Sequence, residues 1–300
     1  MIITRTLPFN CFRKSALNTV PVFTATASSK LLPSAQISPR CYTMSTEASD
    51  QPKIVLHWLE KSRAQRILWL LEECRVPYEI KTYKRVNQLA PPELKKIHPL
   101  GKSPIVTVQA PGQAEPLVLA ESAFITEYLA EHFAKHLIPA QYKDGQDGKV
   151  GQETESWLRY RYFMHYAEGS FMSMLVTRYI VGALAGPQVP FFIKPITRAI
   201  VGKMNSMLFD PNMKTTFEFL ESQIASSPDG GEFLCGKTMT GADILMSFPL
   251  VAVRDSMGGG LEKAKYPKLT EYVARLEKTD GYQASIKKAE EALGEKYSVL

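Results

Sequence analysis

Cysteine is scarce in this sequence, and the four that it has form no pattern. Cys11 and Cys41 lie near the start of the chain, while Cys74 and Cys235 stand alone and far apart. The absence of a C-x-x-C pair and of zinc-ligand spacing argues against a disulfide framework and a zinc site. We expect an intracellular, reduced protein without a bound metal.

Long hydrophobic runs are also missing. No apolar stretch reaches the roughly 18 to 20 residues that a membrane-spanning helix needs, so we expect no transmembrane segment. Acidic residues are absent from residues 1–43, which carry five basic side chains of the 36 in the chain. The rest of the sequence is therefore nearly neutral, although the formal net charge is +6. A nearly neutral body argues against a nucleic-acid partner.

The first 50 residues form an extension of distinct composition. They are basic, rich in serine and threonine and interrupted by prolines, which is typical of an organellar transit peptide. An unstructured tail without an address is the alternative. Met44 begins the segment MSTEASDQPKIVLHW and can serve as a second start, so that one gene would supply a mitochondrial and a cytoplasmic form.

Residues 51–136 carry the pattern of a thioredoxin-like domain. The run KIVLHW predicts a buried strand over 53–58, and helically spaced leucine and isoleucine predict a helix that begins at its N-cap, Ser62. Further elements are predicted in the order strand 77–83, short helix 91–97, strand 105–108, returning strand LVLA and helix 121–133. Together these elements have the βαβ-ββα order of that fold.

Residues 146–296 indicate helices only. Long amphipathic stretches occur in ETESWLRYRYFMHYAEGSF and MKTTFEFLESQIA, and two more helices are predicted over 268–278 and 281–292. The segment MTGADILMSFPLVAV places Thr240 and Asp243 at the spacing of a reciprocal capping box. The predicted fold class is α/β plus all-α, with a thioredoxin-like domain followed by an all-helical domain.

Four motifs stand on these elements. They are SRAQR after the first strand, HPLGKSP before the third, LAES after the fourth and TGAD at the start of a buried helix. In this order they resemble the motifs of the glutathione S-transferase family. The segments HWL, APPELKKIHPLG and ADILMSFPL resemble the fungal, yeast ER-associated type in particular. The resemblance covers residues 53–292.

The resemblance implies a homodimeric enzyme with glutathione as co-substrate and no prosthetic group. Such an enzyme adds the glutathione thiolate to hydrophobic electrophiles or reduces organic hydroperoxides with it. A non-catalytic binding or regulatory module with the same fold is the alternative. For location, the extension and the resemblance together imply the mitochondrion, the cytoplasm, or association with the endoplasmic reticulum membrane.

In this family the proline of the turn before the third strand follows a cis peptide bond. The resemblance therefore implies that Pro104 is cis. The backbone of Ser103 would then face the site and pair with the cysteinyl backbone of glutathione, as one strand pairs with another.

The ends of the tripeptide have their own implied partners. Ser122 and its amide would take the γ-glutamyl carboxylate at the start of a helix, and Glu121 would take the γ-glutamyl ammonium. Lys102, with Lys84 or Arg85, would meet the glycyl carboxylate.

A transferase of this kind must hold the glutathione thiol as a thiolate. A hydroxyl at the N-terminus of the first helix lowers the thiol pKa when it donates to the charged form, and Ser62 is that hydroxyl. Helix capping alone would also explain a serine there. His57, at the position of the catalytic tyrosine in tyrosine-type relatives, and backbone amides are the alternatives. The first turn contains no cysteine, which disfavours thiol-exchange chemistry.

Apolar side chains of the helical half are candidates for an electrophile site, although spacing does not separate them from core. They are Trp157, Tyr160, Tyr162, Phe163, Met164 and Tyr166. Residues 171–209 are rich in methionine, phenylalanine and isoleucine, and three interpretations stay open: two packed helices with a loop, a substrate wall, or a membrane-surface contact. The basic residues for such a contact would be Arg178, Lys194 and Arg198.

Overall fold

The computed structural model describes residues 51–255 and 260–298. The predicted extension over residues 1–50, with Cys11, Cys41 and Met44, lies outside the described residues. The predicted domain boundaries at 51–136 and 146–296 stay predictions, and the order of elements inside them is given below.

The first half contains a four-stranded sheet. Its strands are β1 (Lys53–Leu59), β2 (Tyr78–Tyr83), β3 (Ile105–Gln109) and β4 (Leu117–Ala120), and its helices are α1 (Ala64–Cys74) and α2 (Ser122–Phe133). The strand order is β2-β1-β3-β4, with β1 parallel to β2 and the other pairs antiparallel. This arrangement confirms the predicted thioredoxin-like half.

The two faces of the sheet bury different side chains because neighbours along a strand point to opposite sides. Leu56 and Trp58 of β1 belong to the large core shared with α1 and the helical half. Leu59 belongs to a small cluster with Ile105, under the short 3₁₀ helix Pro92–Lys96. Helix α1 is buried along almost its whole length, so it is the central helix of the molecule.

The second half is helical, as predicted. Its helices are α3 (Glu155–Tyr166), α4 (Ser173–Ala183), α5 (Lys194–Met204), α6 (Asp210–Ala225), α7 (Gly241–Asp255), α8 (Pro267–Glu277) and α9 (Asp280–Leu293). Two π-helical segments, Ala167–Met172 and Asn205–Phe209, join α3 to α4 and α5 to α6. Helix α7 is buried on all sides over residues 241–253, which explains why its sequence is apolar all round.

The capping box at the start of α7 forms only in part. The Asp243 carboxylate accepts from the Thr240 backbone N–H at 2.7 Å, as predicted. The Thr240 hydroxyl, however, donates to the same carboxylate at 2.7 Å instead of accepting from Asp243 N–H. Asp243 is fully buried, and a carboxylate has only acceptors, so it attracts every donor nearby.

Of the three interpretations of residues 171–209, a closely packed pair of helices does not describe residues 173–209, which we call the helical arm. Helices α4 and α5 are present, but Leu175 is the only buried residue of α4 and Val201 the only one of α5. Large apolar side chains of the arm are exposed, namely Val176, Tyr179, Ile180, Leu184, Phe191, Phe192, Ile193, Ile196, Ile200, Met207 and Leu208. No helix in the described part of the chain is long and apolar enough to cross a bilayer.

Candidate functional site

A groove lies between the turn that enters β3 and the N-terminus of α2. Its lining side chains are Arg63, His98, Leu100, Lys102, Ser103, Pro104, Ala120, Glu121 and Ser122. Five of the residues predicted to bind glutathione are among them, namely Lys102, Ser103, Pro104, Glu121 and Ser122. They meet because β3 and β4 pair with Ile105 opposite Ala120, which brings the residues before β3 next to those after β4.

The turn that enters β3 offers an unpaired stretch of backbone. The Ser103–Pro104 peptide bond is cis, which confirms that prediction. Within the described ranges, neither the N–H nor the C=O of Ser103 has a hydrogen-bond partner. These two groups are therefore available to an extended peptide that pairs in a strand-like manner.

The opposite wall is the first turn of α2. Ser122 begins the helix and is buried, and its backbone N–H is one of the four that have no partner inside the helix. Glu121 precedes it with φ 71°, a conformation that costs a non-glycine residue about 1–3 kcal/mol. Its exposed side chain caps no backbone group of α2, so the carboxylate is free to meet a cation.

Ser62 lies beside the groove without lining it. Its hydroxyl donates to the Leu59 carbonyl at 2.6 Å and accepts from Ala64 N–H at 3.3 Å. The N-cap of α1 is Arg63, one residue later than predicted, although the bond to Ala64 still satisfies a first-turn donor. The Ser103 hydroxyl is 3.2 Å away, so Ser62 contacts the groove wall.

His57 lies on β1 and is not among the residues that line the groove. Its Nδ1 is 3.0 Å from the Tyr83 hydroxyl and its Nε2 is 3.3 Å from Thr107 Oγ1. Burial, with the nearby Lys81 ammonium, lowers the pKa of His57 below its ordinary value. His57 is thus a buried, neutral histidine with a neighbour at each ring nitrogen.

The predicted cations separate into one that lines the groove and two that do not. Lys102 lines it and is exposed. The Arg85 guanidinium donates to the carbonyls of Glu60, Lys61 and Gln88, where it braces the loop after β1. Lys84 is exposed and lies outside the groove lining.

With this geometry in place, comparison with known proteins identifies the family. The model of the glutathione S-transferase N-terminal domain matches residues 52–131, and that of the C-terminal domain matches residues 197–288. Glutathione S-transferase 1 of Saccharomyces cerevisiae is 36% identical over 248 residues, covering 82% of this chain and 99% of that protein. The chain belongs to the glutathione S-transferase family. The family and the transferase activity predicted from the four motifs are therefore confirmed.

Further relatives agree with this family assignment. Glutathione S-transferase 3 of Schizosaccharomyces pombe is 32% identical and covers 67% of this chain and 74% of its own length. A glutathione S-transferase of Actinobacillus pleuropneumoniae aligns with a TM-score of 0.53 at 28% identity, over 79% of this chain and 93% of its own. A Phanerochaete chrysosporium glutathione transferase, solved with oxidized glutathione, shares the fold at a TM-score of 0.56 and 17% identity, over 84% of this chain and all of its own.

Sequence reasoning missed several groups around the groove. Arg63 and His98 line it, and both stand inside the motifs SRAQR and HPLGKSP, which could have indicated them. Arg66 is fully buried and binds both Ser122 and the Glu168 carboxylate, which also pairs with Arg63. Glu168 lies about 100 residues further along the chain on a π-helical segment, and no local pattern could have indicated it.

The apolar side chains of α3 that were candidates for an electrophile site divide between core and surface. Tyr160, Phe163 and Met164 are buried in the core. Tyr162 and Tyr166 stack with ring centroids 5.5 Å apart, and neither lines the groove. Tyr166 borders a separate cavity toward α6, which the helical arm also borders through residues such as Met174 and Leu208.

Proposed function

We propose that this glutathione S-transferase binds glutathione in the groove described above and adds its thiolate to hydrophobic electrophiles, with reduction of organic hydroperoxides as a side activity. The groove carries this proposal, since it combines the free backbone of Ser103 with a lysine, a carboxylate and a helix N-terminus. Glutathione has two carboxylates, one ammonium and a peptide backbone, and each finds a complementary group there.

The thiolate-stabilising group proposed for this chain is Ser62, with His57 and backbone amides as alternatives. The Ser62 hydroxyl now donates to Leu59 O, so it must rotate to donate to a thiolate. A donor to the charged form lowers the thiol pKa. His57 would have to exchange a bond to Tyr83 or Thr107, whereas Ser62 is already beside the groove.

The ultraviolet absorbance of bound glutathione against pH tests this assignment. The protein beginning at Met44 should ionise the bound thiol below its solution pKa and turn over an aryl halide, an organic hydroperoxide, or both. Ser62→Ala should raise that pKa and lower kcat while leaving the affinity nearly unchanged, and His57→Gln serves as the matched variant. If only His57→Gln raises the pKa, the assignment to Ser62 is wrong. Binding without ionisation in the unmodified protein would favour the non-catalytic module.

We propose that the protein is a homodimer, and exposed apolar side chains on both halves support this proposal. Phe124 of α2 and Leu158 and Tyr162 of α3 are each at least half exposed, which is costly for a surface that stays in water. Sedimentation velocity should give the mass of two chains. Phe124→Glu should lower the measured mass toward that of one chain, whereas Val150→Glu, at another exposed apolar position, should leave it unchanged.

The helical arm supports a peripheral contact with an anionic membrane surface. Phe191 and Phe192, between α4 and α5, are 85% and 67% exposed. No acidic residue occurs between Glu168 and Asp210. An apolar surface with only basic charge is the pattern of interfacial helices. Arg178 pairs with Asp210, which leaves Lys194, Arg198 and Lys203 of the arm for lipid phosphates.

Vesicle flotation tests the membrane contact. Phosphatidylserine vesicles should carry the protein and phosphatidylcholine vesicles should carry less, with the difference reduced by salt. Phe191→Ser/Phe192→Ser should abolish the binding, while Val150→Ser should not change it. If the protein binds no vesicle and the double variant instead lowers the oligomeric mass, a second copy covers the arm and the membrane proposal is wrong.

For the extension we propose a mitochondrial address that the form starting at Met44 lacks. The composition of residues 1–43, which carry five basic side chains and no acidic one, supports this assignment. Tagged proteins starting at Met1 and at Met44 should distribute to mitochondria and cytoplasm respectively, and identical distributions would contradict the proposal.

A further inference from the structure

Arg66 connects three elements beneath the groove. Its side chain is fully buried in α1. One terminal nitrogen donates to Leu245 O of α7 at 2.9 Å, and the other donates to Ser122 Oγ at 3.1 Å and contacts the Glu168 carboxylate. The Nε–H has no partner within the described residues, so one donor of the guanidinium is unused there.

The chemistry of the pair fixes the direction of the Ser122 hydrogen bond. A guanidinium has donors and no acceptor, so the Ser122 oxygen must accept from Arg66. The hydroxyl hydrogen of Ser122 then has no acceptor among the described residues. Since Ser122 lines the groove, that hydrogen is available to an acceptor inside it.

The charges behind the groove favour an anionic acceptor. Arg63 and Arg66 share the single carboxylate of Glu168, which leaves one positive charge uncompensated in this cluster. Ser122 also stands at the positive end of the α2 dipole. A carboxylate beside Ser122 would complete the set of charges.

We infer that Arg66 is a positioning residue that holds Ser122 as a hydrogen-bond donor to the α-carboxylate of the γ-glutamyl group, with Glu168 keeping the guanidinium in place. The inference rests on the proposed function, since it presupposes that this groove binds glutathione. It assigns Arg66 and Glu168 a part in ligand discrimination, beyond joining α1 to the helical half.

Binding of two glutathione analogues separates this role from a structural one. γ-Aminobutyryl-cysteinylglycine lacks the α-carboxylate, and glutaryl-cysteinylglycine lacks the ammonium. The variant Arg66→Met/Glu168→Leu removes the ion pair without leaving a buried charge. The preference for glutathione over the first analogue should fall about tenfold or more, the effect of losing a charge-assisted hydrogen bond. The preference over the second analogue should stay the same.

Four further variants complete the experiment. Ser122→Ala should lose the same preference, and combining it with the double variant should cause no additional loss, because both act on one hydrogen bond. Arg159→Met/Glu155→Leu removes an arginine–glutamate pair from α3, away from the groove, and should change neither preference. If the double variant does not fold, Arg66→Lys provides the test, since one ammonium cannot reproduce the forked contacts of the guanidinium.

The outcomes distinguish a wrong glutathione site from a wrong role for Arg66. If the unmodified protein does not prefer glutathione over the decarboxylated analogue, the proposed site is wrong and the inference falls with it. If the unmodified protein has the preference and the Arg66 variants keep it, while affinity for all three ligands falls equally, the site stands and Arg66 is only structural.

Discussion

Replacing Asp243 by asparagine should destabilise the protein by about 2–3 kcal/mol. The Asp243 carboxylate is fully buried and accepts four hydrogen bonds. The donors are the backbone N–H groups of Leu234 and Thr240 and the hydroxyls of Thr240 and Tyr272. This carboxylate therefore ties the start of α7 both to the loop before it and to α8.

The magnitude follows from which donors asparagine can still satisfy. Asparagine keeps one acceptor oxygen and presents an NH₂ group in place of the other. Either hydroxyl can turn round and accept, but a backbone N–H cannot. One buried N–H therefore loses its partner, which costs about 1–3 kcal/mol, and a hydrogen bond to a charge is lost as well. Alanine strands both N–H groups and should cost about 4 kcal/mol or more.

Urea unfolding followed by far-ultraviolet circular dichroism measures these free energies, with an unchanged m-value as the condition for comparing midpoints. Thr240→Val is the control, because it removes one hydroxyl donor and keeps both backbone bonds; it should cost about 1 kcal/mol. An Asp243→Asn protein within about 0.5 kcal/mol of the unmodified one, or equal to Asp243→Ala, would refute the reasoning.

Three further predictions concern other buried or strained groups. Burial raises the pKa of the Cys74 thiol to about 12 and that of Cys235 further, so neither should react with a thiol reagent in the native protein beginning at Met44, and both should react in denaturant. Because the pKa of His57 is lowered on folding, the unfolded chain binds more protons than the folded one between the folded-state pKa and about pH 6.5. As the pH is lowered through this range, the free energy of unfolding should fall by at most about 1.4 kcal/mol per pH unit. In His57→Gln that fall should disappear, and a fall that persists would assign it to another group. Glu121→Gly should relieve the backbone strain at φ 71° and raise the melting temperature while weakening glutathione binding, whereas a lower melting temperature would show that no strain is stored there.

Most of the fold could be predicted from the sequence because its signals are local. The apolar run in β1 and the helical spacing in α1 depend on neighbours within one strand or one turn. The predicted N-cap of α1 was one residue early, because Ser62 caps from one position further out than a standard N-cap. For the helical arm the sequence left packing, a substrate wall and a membrane contact open, and its exposure could not be predicted since burial depends on whether another surface reaches it.

The candidate site shows the same limit. Lys102, Ser103, Pro104, Glu121 and Ser122 were predicted from motifs that stand in two short stretches of the chain, and all five line the groove. Whether a lysine or arginine beside those motifs faces the groove depends on loop geometry, and only Lys102 of the three predicted cations does.

By itself the sequence determined the family, the order of strands and helices and the two segments that meet in the groove, because short motifs and hydrophobic periodicity express these directly. Only the tertiary structure decided which charges lie beneath the groove. Arg66, Ser122 and Glu168 come from three elements separated by tens of residues, and no local pattern encodes their meeting. A buried guanidinium needs a carboxylate and hydrogen-bond acceptors from wherever the chain can bring them, and here the packing of α1 against α2 and the helical half supplies them.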